Sequence, residues 1–134
     1  MAADLAYAIV QTVHNFGAVA VVGSPAAAWV WQREQRMPPM ALVWLTLSGW
    51  IIQALSGSAF AVTSYTSRGE LPEVAGVAFV ALCVKVLCAV VGMVLLCAFS
   101  WTSWRQRMQL WIWPSLVGIG ATALTGAAFL RWFG

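Results

Sequence analysis

The chain has 134 residues, of which 62% are hydrophobic and only 8% charged, and its mean hydropathy is +0.84. Soluble domains carry about 25% charged residues, and a chain this short buries too small a fraction of its surface to hide so much apolar area in one aqueous core. Lipid must cover the rest. The formal net charge of +3 comes from only eleven charged side chains, too few for a nucleic-acid surface, so the basic residues are read as topology signals.

The N-terminus has no positive n-region, opens with Asp4 and runs apolar well past the about 7–15 residues of a signal-peptide core, so no cleavage is expected. Apolar stretches alternate with three polar clusters, REQRMPPM (33–40), TSRGELPE (66–73) and SWTSWRQRMQ (100–109). Four spans are expected, at about 5–32, 41–65, 74–100 and 110–131. Each reaches the ~20 residues that cross a bilayer as a helix. Strands are disfavoured, because an open sheet leaves backbone groups unpaired in lipid and four spans cannot close a barrel. The expected fold is therefore all-α, one domain over 1–134: an up-and-down bundle of four transmembrane helices with short connections.

The first span contains His14, the only histidine, about 13 Å from the span's start at 1.5 Å per residue. Its same-face neighbours are Gln11, Gly17, Ala18, Val21 and Pro25. The first connection carries Arg33 and Arg36, and its Pro38-Pro39 pair stands just before a helix start, where a missing N–H does no harm. Met37 and Met40 flank that pair, and two thioethers alone are read as interfacial anchors rather than a copper site. The second span places Ser56 about 13 Å and Gln53 about 18 Å from its far end, with Gly49 and Gly57 one turn to either side of Gln53.

The second connection holds Arg68, Glu70, Pro72 and Glu73, the last favourable at the start of the third helix. The third span carries Lys85, about 16 Å from its start, on a face with Ala81, Cys88, Ala89 and Gly92. Cys83, Cys88 and Cys97 share that helix but cannot cluster: a step of five residues turns them apart, and Cys83 and Cys97 lie about 21 Å apart. They are read as packing residues. The third connection carries Arg105 and Arg107. In the fourth span Thr122 is about 13 Å from the far end, with Thr125 nearer the surface.

The positive-inside rule puts the first and third connections in the cytoplasm and both termini outside, since Arg33, Arg36, Arg105 and Arg107 face only Arg68 and Arg131 among acidic neighbours on the other side. Trp29, Trp31, Trp44, Trp101, Trp104, Trp111 and Trp113 all fall near the cytoplasmic boundary and are read as an interfacial belt.

Ionisable residues inside a span are costly and are functional candidates by default. His14 and Lys85 are the two here, and they lie at nearly one level. With Gln53, Ser56 and Thr122 they define an expected polar layer in the outer half of the bundle. The stripes of small residues around them serve either close helix packing, with His14 hydrogen-bonded to Gln53 or a carbonyl, or clearance for a flat ligand. No acidic residue lies inside a span to pair with Lys85, so it is a neutral amine, snorkels outward, or meets an anionic ligand. No phosphate loop, nucleophile–base pair or carboxylate pair is present in the spans, which sets aside hydrolytic and phosphoryl-transfer chemistry.

A first span with His14 followed by Gly23 and Pro25, a glycine-bearing second span (SGWIIQALSG, 48–57) and a third span with its lysine in VAFVALCVKVLCAVVG (77–92) resembles a group of small bacterial membrane proteins. The group includes the copper-resistance protein D-like domain and the small four-helix type of protoporphyrinogen oxidase. The resemblance covers about 90 residues as scattered positions and carries over His14 and Lys85 alone. It implies a bacterial cytoplasmic membrane protein and association with haem b. The oxidase branch's arginine after the first-helix glycine is missing from GSPAAAWVW, so the resemblance does not extend to that activity.

Three functions are compatible with these residues. One is a haem-binding or redox-associated bundle, with His14 as iron ligand and Lys85 as second ligand or propionate partner; a single histidine excludes a bis-histidine haem within one chain. The second is a non-catalytic subunit of a larger membrane complex, or a homo-oligomer, since small residues and tryptophans abound and there is little extramembrane mass. The third, copper or other metal-ion transport, needs a continuous polar path, to which the inner half offers little beyond Thr46 and Ser48.

Overall fold

The computed structural model describes residues 2–69, 75–101 and 105–133. All of its regular structure is helical: α1 (Ala2–Arg33), α2 (Met40–Arg68), α3 (Gly76–Trp101) and α4 (Arg105–Phe133). Each helix is long and apolar enough to cross a membrane, and large apolar side chains such as Phe16, Leu55, Val80 and Leu110 point outward. Outward apolar faces on every helix are the inverse of an aqueous fold and make all four helices candidate membrane spans.

Local chemistry accounts for the helix ends. Gln35 takes a left-handed φ of 57°, its N–H bonds the Gln32 carbonyl at 2.9 Å, and the Arg36 N–H bonds the Trp31 carbonyl at 3.3 Å. This is a Schellman closure of α1 made without glycine. Pro39, at φ −59° and ψ 141°, is the N-cap of α2, and Gly69 closes that helix at φ 75° with its N–H on the Tyr65 carbonyl at 2.9 Å. Helices α1, α2 and α4 reach further at both ends than the expected spans do, whereas α3 begins at Gly76, two residues inside its expected span. Residues 105–109 belong to α4 rather than to the third connection, because Arg, Gln and Met are good helix formers and nothing there breaks the helix. Glu70, Pro72, Glu73 and Trp104 lie outside the described residues, as do the side chains of Arg68 and Arg105.

Helices adjacent in the chain pack side by side, α1–α2 and α3–α4 most closely, and α4 returns to α1. No backbone approach joins α1 to α3 or α2 to α4 among the described residues. The result is a four-cornered up-and-down bundle, with the α1 N-terminus and α4 C-terminus at one end, here termed the terminal end.

Glycines set the spacing. A Cβ on Gly49 would stand 2.8 Å from Ala20 Cβ, and one on Gly92 would stand 2.8 Å from the Trp50 ring. A Cβ on Gly120 would lie 2.9 Å from the Val21 carbonyl oxygen. That carbonyl is the one Pro25, buried inside α1, cannot bond for lack of an N–H. The bare Cα of Gly120 therefore covers a backbone oxygen that the proline leaves without its helical partner.

The core is Val21, Ala28, Val43, Trp50, Leu96, Phe99, Ile112, Trp113, Leu116 and Ala123, weighted away from the terminal end. Trp113 is fully buried and meets Phe99 edge to face at 5.4 Å, so it is a core residue and not part of the interfacial belt. Its level along the helix fits the belt, but its side of α4 faces inward. Trp31, Trp44, Trp101 and Trp111 are exposed toward the end of the bundle away from the termini. Arg33 lies over the Trp29 ring at 5.3 Å and Arg36 over Trp31 at 5.9 Å. Cys88 packs against the core, whereas Cys83 and Cys97 are exposed on the outer side of α3 instead of packed within the chain.

Candidate functional site: the His14–Lys85 pair

The site begins with two helices that touch. Gly17 in α1 gives α2 room: a Cβ there would be 2.8 Å from Ile52 Cγ2, 3.1 Å from Gln53 Nε2 and 3.3 Å from the Gly49 carbonyl. This approach brings the buried Gln53 onto the backbone of α1, where its Nε2 donates to the His14 carbonyl at 2.5 Å. One turn further along α2, Ser56 is buried against the His14 ring, with its Oγ 2.7 Å from Nδ1.

The proton positions follow from counting donors. Ser56 Oγ lies 2.5 Å from the Ile52 carbonyl, a separation two oxygens hold only with a hydrogen between them. Ser56 Oγ donates to the Ile52 carbonyl and lies 3.4 Å from that of Gln53. The Nδ1–H tautomer of His14 lets Ser56 accept at Nδ1 and leaves Nε2 to accept from Lys85 Nζ, 3.0 Å away.

Lys85 arrives from α3, the helix diagonal to α1. The two helices do not approach each other along their backbones, so the lysine's long stem spans the bundle interior. Ala81 and Gly92 on the same face are buried, which lets α3 sit close enough for that reach. The lysine makes this one hydrogen bond among the described residues and has no carboxylate partner among them. On the terminal side an aromatic pair closes over the imidazole. Phe60 stands edge-on to it with centroids 5.6 Å apart, and Tyr7 stacks on Phe60 at 6.3 Å.

Four of the five residues expected in the polar layer thus form one connected unit drawn from three helices: His14, Gln53, Ser56 and Lys85. Thr122 is placed elsewhere. It is exposed, donates back to the Gly118 carbonyl at 2.9 Å, and lines a groove of about 320 Å³ between α3 and α4 with Thr125 and Phe129. Depth alone had put it in the layer, but its side of α4 turns away. Tyr7 and Phe60 were not read as site residues, although Tyr7 lies seven before His14 and Phe60 four after Ser56, spacings that keep a face. The same spacing locates Ser24, seven after Gly17, whose hydroxyl is 2.7 Å from that of Thr46 in a second buried polar contact deeper in the bundle.

A metal ion would need more donors than are gathered here. No group of three or more His, Cys, Asp or Glu side chains occurs among the described residues. A haem iron ligated by His14 would take the position on Nε2 that Lys85 holds at 3.0 Å, and the other ring nitrogen is bound to Ser56. The residues in this arrangement therefore do not fit that group, and no chemistry is routed through it. The pair instead offers a titratable donor and a titratable acceptor in direct contact, which is the arrangement for passing a proton.

Compared with known proteins, the chain matches no family model, no curated protein and no solved structure.

Proposed function

We propose that this chain is a small, redox-associated integral membrane protein of the bacterial cytoplasmic membrane, in which His14 and Lys85 hold and pass a proton within the outer half of the bundle. The observation that carries the reading is the direct contact of two titratable groups, Lys85 Nζ and His14 Nε2 at 3.0 Å, between which a proton is exchanged, while Ser56 Oγ, 2.7 Å from Nδ1 and 2.5 Å from the Ile52 carbonyl, anchors the ring and carries no proton onward. Intramembrane ionisable groups are costly, and proton relays are among the uses that retain them. Ser56 and Gln53 are the positioning residues: one anchors the ring, and the other fixes the backbone of the residue that carries it. The arginine distribution puts the connections after α1 and α3 in the cytoplasm and both termini outside. The resemblance to copper-resistance protein D-like and four-helix oxidase proteins, through His14 and Lys85, supplies the redox association.

The test uses membranes in which the chain is replaced by His14→Gln or Lys85→Met, with its level checked by immunoblot. Substrate-driven oxygen uptake is expected to fall several-fold in both variants. Uptake equal to wild type with normal protein level would overturn the proposal. An absorption spectrum of the purified wild-type protein is the second arm: a Soret band lost in His14→Ala would replace proton handling with iron ligation.

A further inference from the structure

The end of the bundle away from the termini holds the chain's positive charge. Arg33 and Arg36 lie at and just beyond the close of α1, and Arg105 and Arg107 begin α4. Glu34 is the one acid among them, so four arginines stand against one glutamate, a net +3 that equals the formal charge of the whole chain. At the terminal end Arg68 and Arg131 are outnumbered by Asp4, Glu70 and Glu73. Since α1 packs beside α4, the two arginine pairs occupy neighbouring corners. The chain's single lysine is Lys85, inside the bundle, and every basic residue at this end is arginine.

Two of these arginines are steadied by tryptophan. The Arg33 guanidinium lies over the Trp29 ring, 5.3 Å from its centroid, and Trp29 is itself packed against the core. Arg36 lies over the exposed Trp31 ring at 5.9 Å. A contact of this kind engages the face of the guanidinium and leaves the N–H groups at its edge to find acceptors elsewhere. Neither arginine donates a hydrogen bond among the described residues. The nearest acid, Glu34, stands 3.8 Å from Arg36, and the two side chains are 61% and 66% exposed. That pair is too open and too long to satisfy the fork.

Position and chemistry identify the partner. Trp31, Trp44, Trp101 and Trp111 are exposed at the same end, and exposed indoles on membrane helices sit at the level of the lipid headgroups. Only residues 34–39 separate α1 from α2, which keeps Arg36 at that level. Lipid phosphates are the acceptors most concentrated there, and an acidic protein would have to displace them. A zwitterionic headgroup sets its own cation beside the phosphate, whereas an anionic one brings charge that the arginines can neutralise. The planar guanidinium also pairs with two phosphate oxygens at once, which an ammonium does not. Clusters of four or more basic residues beside a membrane helix draw anionic lipid on these grounds. We infer that this end of the bundle is a binding surface for anionic phospholipid headgroups, with Arg33 and Arg36 gripping phosphate oxygens from their places over Trp29 and Trp31. The inference rests on the membrane-spanning reading and is independent of proton handling, since His14 and Lys85 lie in the other half of the bundle.

The test is quenching of tryptophan fluorescence by brominated phospholipids, with the full-length protein in bilayers that mix phosphatidylcholine and phosphatidylglycerol. Both leaflets have the same composition, so the direction of insertion does not matter. The wild type is expected to bind brominated phosphatidylglycerol in preference to brominated phosphatidylcholine, and the preference is expected to shrink as salt is added. Arg33→Gln and Arg36→Gln are each expected to weaken binding of phosphatidylglycerol about fivefold and to leave that of phosphatidylcholine unchanged. Arg68→Gln with Arg131→Gln, at the terminal end, is expected to keep the wild-type preference. Equal quenching by the two lipids in the wild type would overturn the inference. So would a preference that survives Arg33→Gln with Arg36→Gln but falls in Arg68→Gln with Arg131→Gln. Release of the lipid by millimolar inorganic phosphate would overturn it as well, because the arginines would then serve a free anion. Quenching by neither lipid would overturn the membrane-spanning reading, and this inference with it.

Discussion

Gly92→Ala is a small change with a calculable effect on the site. The added methyl would stand 2.8 Å from both Cε2 and Nε1 of Trp50 and 3.1 Å from its Cζ2. Trp50 is 1% exposed and Leu96, one turn from Gly92 on α3, is fully buried, so the indole has nowhere to turn and α3 must move away from α2. Overpacking of this kind costs about 1–3 kcal/mol. Alanine also gains about 1 kcal/mol of helix propensity over glycine, which masks part of the loss. Gly118→Ala isolates the packing contribution, because a Cβ there meets nothing within 4 Å and the propensity gain is the same. The two variants are expected to differ by about 1–3 kcal/mol in reversible unfolding from detergent, with Gly92→Ala the less stable. Gly92 lies two turns from Lys85 on one face of α3, so the displacement also draws Nζ away from His14. Trp50→Phe in the same chain is expected to recover part of the loss, as neighbours that share a contact do. Equal stability of the two alanine variants, with the His14 ring signals unchanged, would refute the claim that the Trp50–Gly92 contact sets the spacing of α2 and α3.

Other outcomes follow from single contacts. Ser56→Ala removes the acceptor for His14 Nδ1–H in a buried setting and is expected to cost about 1–3 kcal/mol in the same unfolding assay, and to release the ring to the other tautomer. Gln35→Gly relieves a left-handed residue at the end of α1, and a gain of about 1 kcal/mol is expected in thermal unfolding. Thr122→Val is expected to leave the His14 signals and oxygen uptake at wild-type values, because the threonine faces the α3–α4 groove. A changed His14 spectrum in that variant would place Thr122 back in the site.

Depth was legible in the sequence and azimuth only partly so. Counting 1.5 Å per residue from the span ends brought His14, Ser56, Gln53 and Lys85 to one level, and the structure joins them by hydrogen bonds. The same count brought in Thr122, which lies at the right level on the wrong side of its helix. Trp113 shows the same limit, with Trp111 exposed and Trp113 buried only two residues apart. Small residues resolved azimuth where they formed a stripe: Gly17, Gly49 and Gly92 all face neighbouring helices. Gly57 does not, and no signal in SGWIIQALSG separates it from Gly49. The α4 start was missed because arginine and glutamine read as connection by hydropathy but as helix by propensity. Which side chain meets which ring nitrogen could come only from the geometry, since the partner of Nδ1 is a serine forty-two residues from the histidine.

His14 is the only histidine, so nitrogen-15 labelling of histidine gives a spectrum of the site with no assignment step. The measurement is the pair of ring nitrogen shifts in lipid bilayers, wild type against Lys85→Met. A protonated Nδ1 and a bare, hydrogen-bonded Nε2 are expected in the wild type, with the Nε2 shift moving when Lys85 is removed. A protonated Nε2 with a bare Nδ1, unmoved by Lys85→Met, would contradict the pairing of these two residues.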